Sequence, residues 1–598
     1  MSNGKPLTMG AYLELLKKEP NLIKTAHARI YDAVMKQGVK KVFAEYYGID
    51  RTIQEIVNYF RASALGGELS RKFLFLLGPP GSAKSSLVRT LAWVINDEPI
   101  YFIDGCPVRD SPVYLLPRKQ RLDLINSLGV YLPEGDICPV CRNRLRIVHN
   151  FNWNNFSVRL GHISIKASRG FASVDPTDPM SFDKAKLIGS VTLGEKEGDP
   201  EHFELDGAFC RANGGILEMV EIFKNPTEVL YPLLEATQSR TIESPAGRTE
   251  KLFIDVAIIS HSNLAEWKKF SNEKRNEPFL DRLHLIEVPH NILLNEQIKI
   301  IEKISIAKPK SRLVEYHVCP LGLRTLSAFT ASTRMKQSQI GVSNLQKVLV
   351  YSGNLNLAPD ITAEKLMKEF SEDGDGWCGI SNRDAAKILE MALAKQPLDR
   401  PICVDPPSIF QSIESFIDSN RGLTLVEKDL YRALLEEVRA WFGKEAGKDF
   451  SKLAEDCREE CEEVYRKYLN AIQSIIDLKA IEDDFLKELV NNVEMMLKAD
   501  TGGDKYQKRL NILSTASTFD LAPTFLKQGV YWHVNQTIIR PYVVKFLNEE
   551  EATDNETLQW YERIRSKLRL FGYCEICIRS VGNWLRLKPE NYYPQFTN

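Results

Sequence analysis

Gly78-Pro79-Pro80-Gly81-Ser82-Ala83-Lys84-Ser85-Ser86 is the stretch best equipped for chemistry. An apolar run from Phe73 to Leu77 leads into it, and Leu87, Val88, Leu91, Ala92, Val94 and Ile95 follow at helical spacing. A strand, a tight loop and a helix in that order aim backbone N–H groups at an anion. The spacing fits G-x-x-x-x-G-K-[ST], except that Ala83 stands where the last glycine is usual. Lys84 is therefore expected to reach the β- and γ-phosphates of ATP, and Ser85 to offer its hydroxyl to Mg²⁺. Ala83 still lets backbone approach phosphate closely, but it is not expected to adopt a left-handed φ. A plain turn with an N-capping serine would leave the flanking strand and helix unexplained.

Three further stretches carry groups that such a loop would need. Ala212-Asn-Gly-Gly-Ile-Leu-Glu218-Met-Val-Glu221 reads as a glycine pair, then an apolar strand ending in acid. Glu221 is expected at the strand end, as a second Mg²⁺ ligand and as the group that activates the attacking oxygen. Val220 occupies the place where a metal-binding aspartate would be expected, and Glu218 reads as a strand-edge charge. Val256 to Ser260 reads as a buried strand ending at His261-Ser262-Asn263, so Asn263 would stand beside the γ-phosphate or cap the next helix. Arg282 precedes the strand Leu285 to Val288 and could project from a subunit edge, with Arg275 as competitor and a surface ion pair as the bland alternative. Arg383 sits in the first turn of a helix, against the dipole, and is expected to pair with Asp384 or with nucleotide.

Cys138-Pro-Val-Cys141 is half of a zinc site, with Cys106 and His149 as possible further ligands; a metal-free knuckle is the preferred reading over bound zinc. The pairs Cys457/Cys461 and Cys574/Cys577 lie in helical patterns and read as core or surface thiols.

The elements that must position these residues follow from pattern. The 598 residues suggest several domains. With 78 basic and 79 acidic residues, no global field favours nucleic acid or a membrane surface. No run approaches the ~18 apolar residues of a membrane span. The N-terminus lacks a basic start with an apolar core, and eleven sparse cysteines read as reduced thiols, so a cytoplasmic setting is expected. Residues 1–40 read as helical and 41–290 as an α/β nucleotide-binding domain. Pro99 to Ile103 is expected to complete a βαβ unit in a parallel sheet. Residues 105–210 read as an insertion with short strands at 145–148, 156–160 and 162–165. A hairpin is expected around Pro245-Ala-Gly247. Residues 291–400 read as a helical lid. The segment 401–598 reads as mostly helical, one stripe being Val426, Leu430, Ala433 and Trp441.

Taken together, these motifs resemble an AAA+ ATPase, a P-loop NTPase with a parallel-sheet α/β core and a helical lid. By that likeness Lys84 and Ser85 form the Walker A pair and Glu221 is the Walker B glutamate. Asn263 is the sensor 1 residue, Arg282 the finger and Arg383 the sensor 2 arginine. More narrowly, Gly78-Pro-Pro-Gly81, Glu221-Ile-Phe-Lys-Asn-Pro226, Ala257 to Trp267, Gly379-Ile-Ser381 and Phe571-Gly-Tyr-Cys574 make nearly the whole chain similar to the PrkA-type serine protein kinases. That resemblance implies an AAA+ module followed by a kinase-related C-terminal domain, and phosphorylation of protein serine with ATP and Mg²⁺ in stress or sporulation.

Three functions follow as expectations. The first is a protein serine kinase acting at the phosphate loop. The second is a homo-oligomeric AAA+ ring that remodels a partner, with association to a protease as one form of it. The third is a nucleotide-gated binding module with little turnover, suggested by Val220. The chain shows no G-x-G-x-x-G strand, V-A-I-K lysine or H-R-D loop, which excludes the eukaryotic kinase architecture.

Overall fold

The computed structural model describes residues 5–176, 185–192, 202–225, 227–243, 251–306, 316–355, 361–369, 374–396, 402–451, 458–500, 505–515 and 534–587. Its strands in chain order are β1 (Leu7–Thr8), β2 (Phe73–Leu77), β3 (Pro99–Ile103), β4 (Ser157–His162), β5 (Phe171–Val174), β6 (Ser190–Thr192) and β7 (His202–Glu204). They continue with β8 (Ile216–Met219), β9 (Thr241–Glu243), β10 (Lys251–Phe253), β11 (Ala257–Ser262), β12 (Leu283–Glu287), β13 (Tyr316–Val318) and β14 (Ile402–Val404). Internal contacts divide the chain into two units. The first holds Met1–Ile300, Arg334–Gln339 and Asn356–Asn382, and the second Ile301–Thr333, Ile340–Leu355 and Arg383–Asn598.

The first unit is built on a five-stranded sheet in the order β12-β2-β11-β8-β5, parallel at every pairing. Every residue of β2, β8 and β11 is buried. That is why they read as nearly continuous apolar runs: a parallel strand is covered on both faces. Side chains alternate across β2. Phe73, Phe75 and Leu77 enter one core with Leu217, Ile258 and Phe223. Leu74 and Leu76 enter the other, where Leu87, Val88 and Leu91 of the helix Lys84–Val94 meet Ile259.

The sheet differs from the sequence expectation at β3. This strand pairs antiparallel with β4, in a separate small sheet with β1, rather than beside β2. Only Ile103 of β3 is fully buried, and a central parallel strand cannot leave its faces that open. The place beside β8 is taken by β5, which lies within 105–210; that segment is therefore not wholly an insertion. Residues 145–148, expected as a strand, fall instead in the helical turn Arg144–Val148. The strands β9 and β10 pair antiparallel as a hairpin, whose tip at Pro245 to Gly247 lies outside the described residues.

In the second unit, helices dominate. The helix Leu425–Ser451 buries Tyr431, Leu434, Leu435, Val438 and Phe442; of the stripe read from sequence, Val426, Leu430 and Ala433 are exposed and Trp441 is half-buried. Both stripes have helical spacing, and only packing partners distinguish them. The short parallel pair β13–β14 lies in this unit, as does the terminal helix Glu575–Leu587. Among the described residues, no helix is long and apolar enough to cross a membrane.

Candidate active site at the phosphate loop

The loop leaves β2 at Leu77, at the carboxyl ends of the parallel strands where such sheets bind ligands. Gly78 is packed against the neighbouring strand's exit, and a Cβ there would lie 2.1 Å from the carbonyl oxygen of Val288. Gly81 takes φ +80° with Ser381 against it, at 3.0 Å from a would-be Cβ. Ala83 corrects the sequence expectation: it is left-handed, at φ 73° and ψ 9°. Position 83 therefore needs the conformation that glycine supplies freely, and alanine adopts it at a cost of about 1–2 kcal/mol. Strain of this kind persists where the surroundings over-determine the backbone.

Lys84 is buried and donates to the carbonyls of Gly78 at 2.7 Å and Pro79 at 2.8 Å. The ammonium is thus held beneath the loop that would carry the phosphates. The Ser85 hydroxyl lies 3.2 Å from Nε2 of His261, at the end of β11. The same nitrogen lies 3.6 Å from a carboxylate oxygen of Glu218, and Nδ1 lies 3.9 Å from Glu221. Glu221 follows β8 in a left-handed conformation, φ 45° and ψ 52°, which turns it away from the strand direction. The Asn263 side chain donates to Glu221 at 3.4 Å and accepts from the N–H of Glu266 at 3.0 Å, so it caps its helix and touches the acid at once.

Glu218 is not a strand-edge charge. It is 3% exposed in an interior strand, turned toward His261. The register sets Ser260 against Met219, so His261 comes level with Val220, where the aspartate was missing. Glu218 and His261 are the residues sequence reasoning passed over. The available signal was two polar side chains inside otherwise apolar strands.

Two buried polar atoms beside the loop have no hydrogen-bond partner: Ser82 Oγ within it and His261 Nδ1 at the end of β11. Buried polar atoms are normally satisfied, so these two fit a polar ligand seated on the loop. Ser85 and Glu218, which meet at one nitrogen, together with Glu221, fit a hard oxygen-seeking cation.

The remaining supports are structural. Arg334 is fully buried and donates to the carbonyls of Ile380 and Asn291 and to the side chains of Gln297 and Asn382. It holds the carbonyl of Ile380 and the side chain of Asn382, on either side of Ser381, which abuts Gly81. Burial, with Arg334 and Lys84 as like charges, lowers the His290 imidazole to about 3, so that ring is neutral.

Arg282 stands just before β12. The register pairs Leu283 with Phe73 and Glu287 with Leu77. Arg282 is therefore roughly 16 Å along the strand from the loop end of its own chain. It pairs with Glu68 at 3.9 Å, and Arg275 pairs with Glu273 at 2.7 Å. Arg383 is exposed at the start of the helix Asn382–Ala394, and Asp384 pairs with Lys387. The segment end that approaches the loop is Ser381.

The two C-x-x-C segments are each joined by distant donors. Cys138 and Cys141 meet Cys106 and Asp110, whereas His149 turns away onto Phe156 with ring centroids 4.4 Å apart. Cys574 and Cys577, expected as plain thiols, meet His317 and Cys403.

Residues 7–341 match the PrkA AAA domain, and residues 345–499 match the PrkA serine protein kinase C-terminal domain. The chain is 25% identical over 518 residues to the ATP-dependent protease PrkA of Bacillus subtilis (strain 168), covering 82% of this chain and 80% of that protein. It is 33% identical over 393 residues to the serine/threonine kinase YeaG of Escherichia coli (strain K12), covering 63% of this chain and 59% of that protein. Among solved structures, NtrX from Brucella abortus in complex with ADP is similar at 15% identity over 69% of this chain and 65% of that chain, with a TM-score of 0.30.

Proposed function

The chain belongs to the PrkA family, with its AAA domain and its C-terminal domain in sequence, and on that premise we propose that it transfers phosphoryl groups from ATP to serine hydroxyls of protein substrates at the loop around Lys84. One observation carries this reading. Glu221 is held at the carboxyl ends of the central strands by Asn263 and a left-handed backbone, next to the pair Ser85–His261. A carboxylate so placed can accept the proton of an attacking hydroxyl.

The roles divide among this chain's own residues. Loop N–H groups and Lys84 bind the phosphates and offset charge as the bond to the leaving oxygen lengthens. Ser85 and Glu218 would hold magnesium, with Glu218 supplying from within β8 the carboxylate that Val220 does not. Magnesium, when bound, neutralises charge across the β- and γ-phosphates. Glu221 orients and deprotonates the acceptor, and Asn263 keeps Glu221 in place. The kinase name of the Escherichia coli relative supports a serine acceptor.

A second reading, an AAA+ ATPase that remodels a partner protein, is favoured by Arg282. Its position at the far end of the sheet from its own loop suits a residue that acts on a neighbouring copy. The protease name of the Bacillus subtilis relative suits this reading too. Labelled ATP, a serine-bearing acceptor protein and the purified chain separate the two. The first reading requires phosphoserine formation that Lys84→Ala abolishes. Phosphate release without labelled acceptor, in a species that grows with ATP, supports the second.

A further inference from the structure

We propose that the second unit carries a structural zinc site formed by His317, Cys403, Cys574 and Cys577. Their donor atoms all lie within 4.8 Å of one another. Three thiols and one imidazole are a common ligand set for a closed, tetrahedral zinc site.

The surroundings are those a thiolate–imidazole site needs. His317 and Cys403 sit opposite each other in the parallel register of β13 and β14, and Nδ1 of His317 lies 3.3 Å from Sγ of Cys403. The other ring nitrogen, Nε2, lies 2.9 Å from the carbonyl oxygen of Gly572. A donor bond there fixes the tautomer and leaves Nδ1 as the lone-pair nitrogen facing the thiols, as the second ring nitrogen of a metal-bound histidine normally does. Cys574 and Cys577 enter at the start of the helix Glu575–Leu587, and the N–H of Cys574 donates to Sγ of Cys577 at 3.0 Å. A backbone donor of that kind favours the deprotonated sulfur that metal binding requires. Cys403 and Cys577 are buried, and His317 and Cys574 are half-buried.

A dithiol that cycles between Cys574 and Cys577 is the rival for a C-x-x-C at a helix start. It gives no role to Cys403 or His317, and it does not explain why the imidazole is oriented from behind. A bound metal explains both. It would also tie the terminal helix to a strand pair some 170 to 260 residues away in sequence, a long loop whose closure costs the unfolded chain most.

A different observation carries a second site of the same kind in the first unit. Asp110 is 3% exposed among Cys106, Cys138 and Cys141, with all four donors within 4.8 Å. Sγ of Cys106 lies 3.8 Å from Sγ of Cys138. That matches the ~3.8 Å edge of a tetrahedron with zinc–sulfur bonds of about 2.3 Å. A buried carboxylate beside three thiols needs a cation or a proton, and the thiol set selects zinc.

The test is metal content of the full-length chain, expressed with zinc and purified reduced without chelator. Wild type is expected to hold two zinc ions per chain by plasma mass spectrometry. Cys574→Ser/Cys577→Ser and Cys138→Ser/Cys141→Ser should each hold one. A variant pair that keeps the wild-type content overturns the corresponding site, and wild type without zinc overturns both. Should a serine pair fail to fold, His317→Cys decides for the second unit: it should retain full metal content, and loss of the ion in a folded His317→Cys chain counts against the assignment. Cobalt-loaded wild type should show the intense visible bands of tetrahedral thiolate coordination. A Cys574–Cys577 disulfide in freshly purified, metal-free protein would establish the redox rival instead.

Discussion

The Ser85 hydroxyl and Nε2 of His261 stand 3.2 Å apart, and the carboxylate of Glu218 reaches the same nitrogen at 3.6 Å. The acid that serves Ser85 thus comes from within β8, two residues before the position where an aspartate would be expected. Replacing Glu218 with Gln should lower magnesium-dependent ATP turnover by about 10²-fold while leaving the sheet intact. Turnover at saturating Mg²⁺ with a far-ultraviolet spectrum as control measures this. Unchanged activity would remove Glu218 from the site.

Glu221 and Lys84 should separate binding from chemistry. Glu221→Gln keeps the side chain's size and its contact with Asn263 but removes the base. Calorimetry should find ATP affinity near wild type, with turnover down by roughly 10²–10⁴-fold. Lys84→Ala should lose both, because the ammonium lies under the loop itself.

Gly78 tolerates no side chain. A Cβ would stand 2.1 Å from the Val288 carbonyl, a backbone atom that cannot rotate away. Gly78→Ala is therefore expected to displace the loop and abolish nucleotide binding, read by the same titration. Ala83→Gly should act in the opposite direction. Relief of the left-handed strain, about 1–2 kcal/mol, outweighs the 0.4–1 kcal/mol or so by which glycine favours the unfolded chain. A net gain of about 0.5–1 kcal/mol in urea denaturation is expected, and a loss would show that residue 83 is unstrained.

Acid should destabilise the first unit through His27. Burial, then the Arg240 charge, lowers its pKa to about 3. The unfolded chain takes up a proton below about 6.5 that the folded chain refuses. The stability this neutral imidazole contributes is complete above about pH 6.5 and is lost as pH falls toward 3, by up to about 1.4 kcal/mol per unit. His27→Phe keeps the aromatic packing against Phe60, and Tyr59 still donates to Lys72 at 2.7 Å. Urea midpoints at about pH 7.5 and 5 should differ less in the variant than in wild type.

The sequence made the phosphate loop, Glu221 and Asn263 legible because each follows an apolar strand within a few residues. Local spacing alone places them. It missed Glu218 and His261 because their partnership depends on which strands become neighbours. β8 and β11 are separated by the hairpin β9–β10, and only the sheet order brings them together. The departure of β3 from the sheet was hidden for the same reason: an apolar pentapeptide does not state its partner. Cys574 and Cys577 looked helical, which they nearly are, since Cys577 lies in a helix; His317 and Cys403, which change their meaning, come from elsewhere in the chain. Ala83 shows a local rule overruled, where propensity argues against a left-handed alanine and the loop imposes it.

The sheet order also sets a schedule for the ribosome. The strand that bears the loop emerges before both of its neighbours, β11 and β12, which are made about 180 to 210 residues later. At about 5–20 residues per second, Phe73-Leu-Phe-Leu-Leu77 waits roughly 10–40 s with neither hydrogen-bonding edge taken. For that interval five consecutive apolar residues are a sticky, unpaired ribbon on a nascent chain. Synthesis rate and chaperone supply thereby become factors in how much of it reaches the native state.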